Sequence, residues 1–131
     1  MSNNVDFGEL VGKVLTRIEV SYDEIIFHCE NEEKYRMFHE QDCCEIVAIE
    51  DIVGDLTDLL SSPTDLLYSP ILRATKDSDQ NAPIEIEKAE DPYGSSTWTF
   101  YNISTAKGHV TIRWYGESNG YYSESVDFEK L

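Results

Sequence analysis

Positive charge is what this sequence has least of. Ten Lys and Arg stand against 26 Asp and Glu in 131 residues, a formal net charge of −16. Phosphate binding needs Lys and Arg to replace counterions, so direct binding to DNA, RNA or an anionic membrane is disfavoured. A basic partner is favoured by electrostatic steering. Long apolar runs are missing too: no stretch of 18 apolar residues occurs, and no membrane-spanning helix is expected. The opening MSNNVDFGEL lacks the basic region and apolar stretch of a secretion signal, which leads us to expect a cytoplasmic protein. Three cysteines, an odd number, fit a reducing compartment better than a disulfide scaffold. There is no G-x-S-x-G, no phosphate-cradling glycine loop and no H-E-x-x-H. Carboxylates are so numerous that a pair at glycosidase spacing would arise by chance and carries no weight. The expectation is a protein that is not an enzyme and needs no cofactor.

Apolar residues make up 40 % of the chain and aromatics 11 %, enough to bury a core, and the length suits a single domain over 1–131. KVLTRIEV (13–20), EIIFHCE (24–30) and KYRMFHE (34–40) read as three hairpin-connected strands, a meander. The period then changes. Ile49, Ile52, Val53, Leu56, Leu59 and Leu60 recur at three- and four-residue spacing, which predicts a short helix ended by Ser61, Ser62 and Pro63. Gly54 interrupts it at a cost of about 1 kcal/mol. ILRAT (71–75) reads as a strand. Residues 76–96, polar, acidic and holding two prolines, read as a mobile loop with a short edge strand at 84–86. STWTFYNIS, HVTIRWYGE and YYSESVDF are rich in β-formers, and Asn119-Gly120 is a strong hairpin signal between the last two. Trp98, Phe100 and Trp114 are expected in the core, with Tyr121 or Tyr122 better placed for exposure. The predicted class is α+β: a mostly antiparallel sheet of about seven strands, built from meander and hairpins, with one short helix packed on it.

The charge is uneven. Residues 30–60 hold ten carboxylates against Lys34 and Arg36, while 94–116 hold Lys107 and Arg113 and no carboxylate. The densest stretch, FHEQDCCEIVAIED (38–51), mixes His39, Cys43 and Cys44 with five carboxylates. On the meander reading His28 and His39 lie on neighbouring strands, and with Cys43 they form the candidate metal set. Zinc needs converging ligands, however, and the usual C-x2-C spacing is absent. Adjacent cysteines on a strand point to opposite faces. They do not readily close an unstrained disulfide, and the surrounding carboxylates raise thiol pKa. DSDQNAPIEIEK (77–88) begins like a calcium loop with Asp77, Asp79 and Asn81. It then fails: Ala82 stands where Gly is needed and Lys88 replaces the bidentate Glu.

The stretches EKYRMFHEQDCCE, IEDIVGDL and TWTFYNISTAKGHVTIRWYGESNGYYSESVDF resemble a family of short, uncharacterised proteins carried mostly by phages and prophages, a domain of unknown function. The likeness spans nearly the whole chain. The matching positions are His39, Asp42, Cys43, Cys44, Glu45, Asp51, Gly54, Asp55, Trp98, Trp114 and Gly120. The resemblance implies membership and a genetic setting, in the host cytoplasm, but brings no activity. With the charge, it leads us to expect an acidic protein-binding module, an anti-defence inhibitor that mimics nucleic-acid charge and blocks a basic host surface. Carboxylates at Asp51, Asp55 and Asp58 on a helix would step by roughly 4.5–6 Å, a spacing able to meet Lys and Arg that hold a nucleic-acid backbone. The expected contact set is Glu40, Asp42, Glu45, Glu50, Asp51, Asp55 and Asp58. The alternatives are a small ligand- or metal-binding domain using His28, His39 and the cysteines, and a phage structural or assembly protein.

Overall fold

The computed structural model describes residues 4–41, 44–62, 64–66, 68–79, 95–118 and 124–131. Among them are eight strands: β1 Leu15–Ser21, β2 Glu24–Cys29, β3 Lys34–Phe38, β4 Ile46–Val53, β5 Arg73–Asp79, β6 Ser95–Ser104, β7 His109–Ser118 and β8 Asp127–Lys130. They form two four-stranded sheets, β1-β2-β3-β8 and β4-β7-β6-β5, and every strand pairing is antiparallel. Single 3-10 turns occur at Phe7–Leu10 and Leu56–Leu59, and no α-helix occurs among the described residues.

The meander is present as β1 to β3, as the alternation of β-formers predicts. The expected helix is not. Residues 46–53 are strand β4, which then breaks at Gly54 (φ +113°) and is followed by the second 3-10 turn. The misleading spacing has a physical source. The register of β4 against β7 slips between Ile49 and Asp51, a bulge at Glu50. Ile49 pairs with Trp114 and Ile52 with Ile112, so both turn inward although they are three residues apart. A bulge thus imitates half a helical period. Ile46, Val47, Ile49, Ile52 and Val53 are β-branched, and it is this composition that decides for the strand.

The expected C-terminal hairpin also differs. Asn119-Gly120, with Tyr121 and Tyr122, lies outside the described residues. The strand beyond it, β8, pairs with β3 in the other sheet, with Tyr35 opposite Lys130 and Met37 opposite Phe128. The incoming chain runs against Gly116, where a Cβ would come within 3.0 Å of the Glu124 carbonyl oxygen. Of the expected loop at 76–96, residues 76–79 belong to β5 and 95–96 to β6. Residues 80–94, including the edge strand at 84–86, lie outside the described residues.

The two inner faces share one core. Phe128 stacks on Tyr35 with centroids 5.4 Å apart and meets Phe7 and Phe27 edge-on at 5.1 and 6.2 Å. Trp114 Nε1 donates to Met37 Sδ at 3.1 Å, joining β7 of the second sheet to β3 of the first. Isolated main-chain bridges add Leu60 beside Leu15 of β1 and Asn4 beside Glu129 of β8. The β1–β2 turn reaches β4, whose Ile49 N–H donates to the Tyr22 carbonyl at 2.8 Å.

Candidate functional site

The seven expected contact carboxylates do not form one row. Glu50 and Asp51 sit side by side at the β4 bulge and hold Arg113 from β7, at 2.9 Å from Nε and 3.2 Å from a terminal nitrogen. Asp55 caps the second 3-10 turn. It accepts from the Thr57 hydroxyl at 2.7 Å and from its N–H at 2.9 Å, and these bonds lower its pKa. Asp58 is half-buried against Gly108, where a Cβ would meet its carboxylate at 2.6 Å. Glu40 is exposed, Glu45 is buried, and Asp42 lies outside the described residues. The helical step proposed for Asp51, Asp55 and Asp58 does not exist, because Asp51 is on a strand and Asp58 on a 3-10 turn.

The histidines do not converge either. In the β2–β3 register His28 faces Lys34 and Glu24 faces Phe38. His39 follows Phe38, five strand positions from Lys34, so it lies roughly 17 Å along the hairpin from His28 at ~3.3 Å per residue. His28 instead approaches Glu19 at 3.3 Å. Cys29 is buried and free, and burial pushes its thiol pKa up. Cys44 is disulfide-bonded, against the expectation of thiols, and Cys43 lies outside the described residues. Among the described residues no three His, Cys, Asp or Glu side chains gather as metal ligands.

What the end of β3 does assemble is a buried pair. The His39 side chain is 3 % exposed and that of Glu45 is wholly buried. His39 Nδ1 lies 2.6 Å from the Ser125 carbonyl oxygen and Nε2 3.3 Å from Glu45 Oε1. A carbonyl only accepts, so Nδ1 carries a proton. Nε2 faces the Glu45 carboxylate, so both ring nitrogens are turned toward oxygens of the same chain. The pair ties the β3–β4 connection to the 124–126 segment, and Gln41 Nε2 adds a bond to the Glu45 carbonyl at 2.8 Å. A polar cavity of about 580 Å³ opens beside His39, with Asn4, Arg36, Glu40 and Glu129 in its wall. Its guanidinium is already committed: Arg36 contacts Glu24 and Glu129 at 3.2 Å each and lies 3.9 Å over the Phe38 ring.

Sequence reasoning missed the outer face of the second sheet. Trp114 is in the core and Trp98 is buried, as expected, but Phe100 is only half-buried, and Trp98 and Phe100 lie on the outer face of the sheet. Trp98 pairs with Tyr115 and Phe100 with Arg113, while Tyr101 and Ile103 point inward. Trp98, 4 % exposed, lies between Tyr115 (centroids 4.9 Å) and Phe100 (6.5 Å). The signal was present: Trp98 and Phe100 have one parity on β6, Tyr101 and Ile103 the other, which marks a strand apolar on both faces. Next to this cluster β4 turns Ile46 outward opposite Glu117 and Ala48 opposite Tyr115.

No helix of the described residues is long and apolar enough to cross a membrane. No curated protein and no solved structure matches the chain. A family described as a domain of unknown function, DUF7448, matches residues 8–128. That span contains all eight strands but for the last residues of β8, and the chain belongs to the DUF7448 family.

Proposed function

We propose that this chain is an acidic protein-binding module whose partner presents a basic surface. One observation carries the reading: most of the described cations are paired within the chain. Lys13, Arg17, Arg36, Lys107, Arg113 and Lys130 are each ion-paired to a carboxylate of the same chain. Lys76 donates to the Val126 carbonyl. The field that remains outside is negative and is set by the surplus of carboxylates, with Asp23, Glu32, Glu40 and Asp77 among the exposed ones. Such a field steers a cationic partner and repels nucleic acid and anionic lipid.

The partner class best matched to this field is a protein that holds a nucleic-acid backbone with Lys and Arg. An inhibitor of a host defence protein is the form favoured by the resemblance to phage-carried chains. The contact surface on this reading is distributed carboxylate rather than a helical row. The test is competition: the protein against DNA for a panel of basic nucleases, at about 50 and about 200 mM salt. The expected outcome is displacement of DNA that weakens steeply at the higher salt, and that weakens further when Asp23, Glu32 and Glu40 are replaced by Lys. Absence of displacement from every member of the panel at the lower salt removes the nucleic-acid-mimic reading.

A further inference from the structure

We infer that the open edge and outer face of β4 form the docking surface, and that it takes a protein surface that alternates apolar side chains with Lys and Arg. This rests on the basic-partner reading and gives it a place. Among the described residues β4 is an edge strand, eight residues long. It leaves Ile46 64 % and Val53 51 % exposed, at opposite ends of a strand about 23 Å long at ~3.3 Å per residue. The β1–β2 turn, hydrogen-bonded to Ile49, adds Tyr22 at 77 % exposure. A long edge with exposed β-branched residues is a liability that proteins normally blunt with charge or cover. Here the apolar groups have been kept.

The manner of docking follows from the backbone. The Glu50 bulge and the Tyr22 carbonyl on Ile49 interrupt the edge in its middle. A partner strand therefore cannot pair along its length, and recognition falls to side chains. The charge identifies the partner. Asp23, Glu50, Asp51 and Glu117 are exposed around these groups. The cation among them, Arg113, is 16 % exposed and held by Glu50 and Asp51. Ile46 and Val53 at the ends of the strand and Tyr22 beside its middle are interleaved with carboxylates of one sign, which complements a partner that alternates apolar and cationic side chains. A second copy of the chain would set carboxylates against carboxylates, and an anionic membrane would be repelled.

The measurement is an NMR titration of the full chain with two probes of equal charge, a peptide alternating Lys with Leu and one alternating Lys with Ser. We expect the Lys–Leu probe to bind at least about tenfold tighter, ~1.4 kcal/mol. Its shift changes should centre on Tyr22, Ile46 and Glu117. Ile46→Arg should bring its affinity down to that of the Lys–Ser probe. Should Ile46→Arg not fold, Tyr22→Ser serves, because the turn bonds β4 through its main chain; it should weaken only the Lys–Leu probe. Equal affinity of the two probes, or shift changes centred elsewhere, overturns this surface while leaving the basic-partner reading standing. Binding of neither probe overturns both. A dimer of the free chain that Ile46→Arg dissociates overturns the proposal in favour of self-association.

Discussion

Glu33 shows how this chain uses its few cations. Its carboxylate accepts from Lys13 at 2.7 Å and contacts Lys130 and the Asn31 amide. Those hydrogen bonds, Lys13's foremost, hold its pKa near about 2 instead of 4.5. A lowered folded-state value means stability that is present above about pH 4.5 and is lost as the pH falls toward 2. Lys13→Met should move the Glu33 carboxyl midpoint upward toward 4.5, read by NMR, and shrink the pH dependence of unfolding in that window. A midpoint unmoved by the substitution would show that Lys130 and Asn31 suffice. The surplus of acid was plain in the composition, but which acid each cation takes was not. Lys13, Glu33 and Lys130 are far apart in the chain and meet only because β1 pairs with β2 and β8 pairs with β3 on either side of the β2–β3 turn. His39 and Glu45 make the same point in reverse. Both stand in the stretch whose composition suggests a ligand site, and both are spent on a buried contact with each other, which His39 extends to the Ser125 carbonyl.

At the scale of the element, strands were legible where period and composition agreed. In β1 to β3 they did. In β4 they conflicted: the spacing of Ile49 and Ile52 read as helix while five β-branched side chains read as strand. A single bulge explains the conflict, since one extra residue reverses the phase of everything after it. Gly54 ends the strand for a separate reason. Its φ of +113° is open to glycine, and a Cβ there would stand 2.6 Å from the His109 carbonyl oxygen. Gly54→Ala should therefore destabilise the chain by at least ~1–3 kcal/mol from backbone strain, before the clash with β7 is added. Urea unfolding monitored by tryptophan fluorescence measures it. A loss below about 0.5 kcal/mol would mean that the turn relaxes to another conformation.

At the scale of the molecule, β8 completes the first sheet, and Val126 just before it accepts from Lys76 and Tyr101 of the second. Phe128 lies where Phe7, Phe27 and Tyr35 meet. Phe128→Ala should cost about 3–5 kcal/mol, a large share of the ordinary stability of a domain, and broaden or abolish cooperative thermal unfolding. Unchanged unfolding would mean that the C-terminal strand is peripheral. With β8 paired to β3, the second sheet ends on β4 among the described residues, with Ile46 and Val53 exposed on it.

The sequence by itself determined the sign of the outer field, the mostly antiparallel β character and the first three strands, because charge is additive and side-chain alternation is local. Only the tertiary structure decided which sheet the last strand joins, which face Trp98 and Phe100 occupy, and which carboxylates are committed inside the chain. Those depend on pairings between residues distant in sequence, and the pattern of any one segment is compatible with several of them.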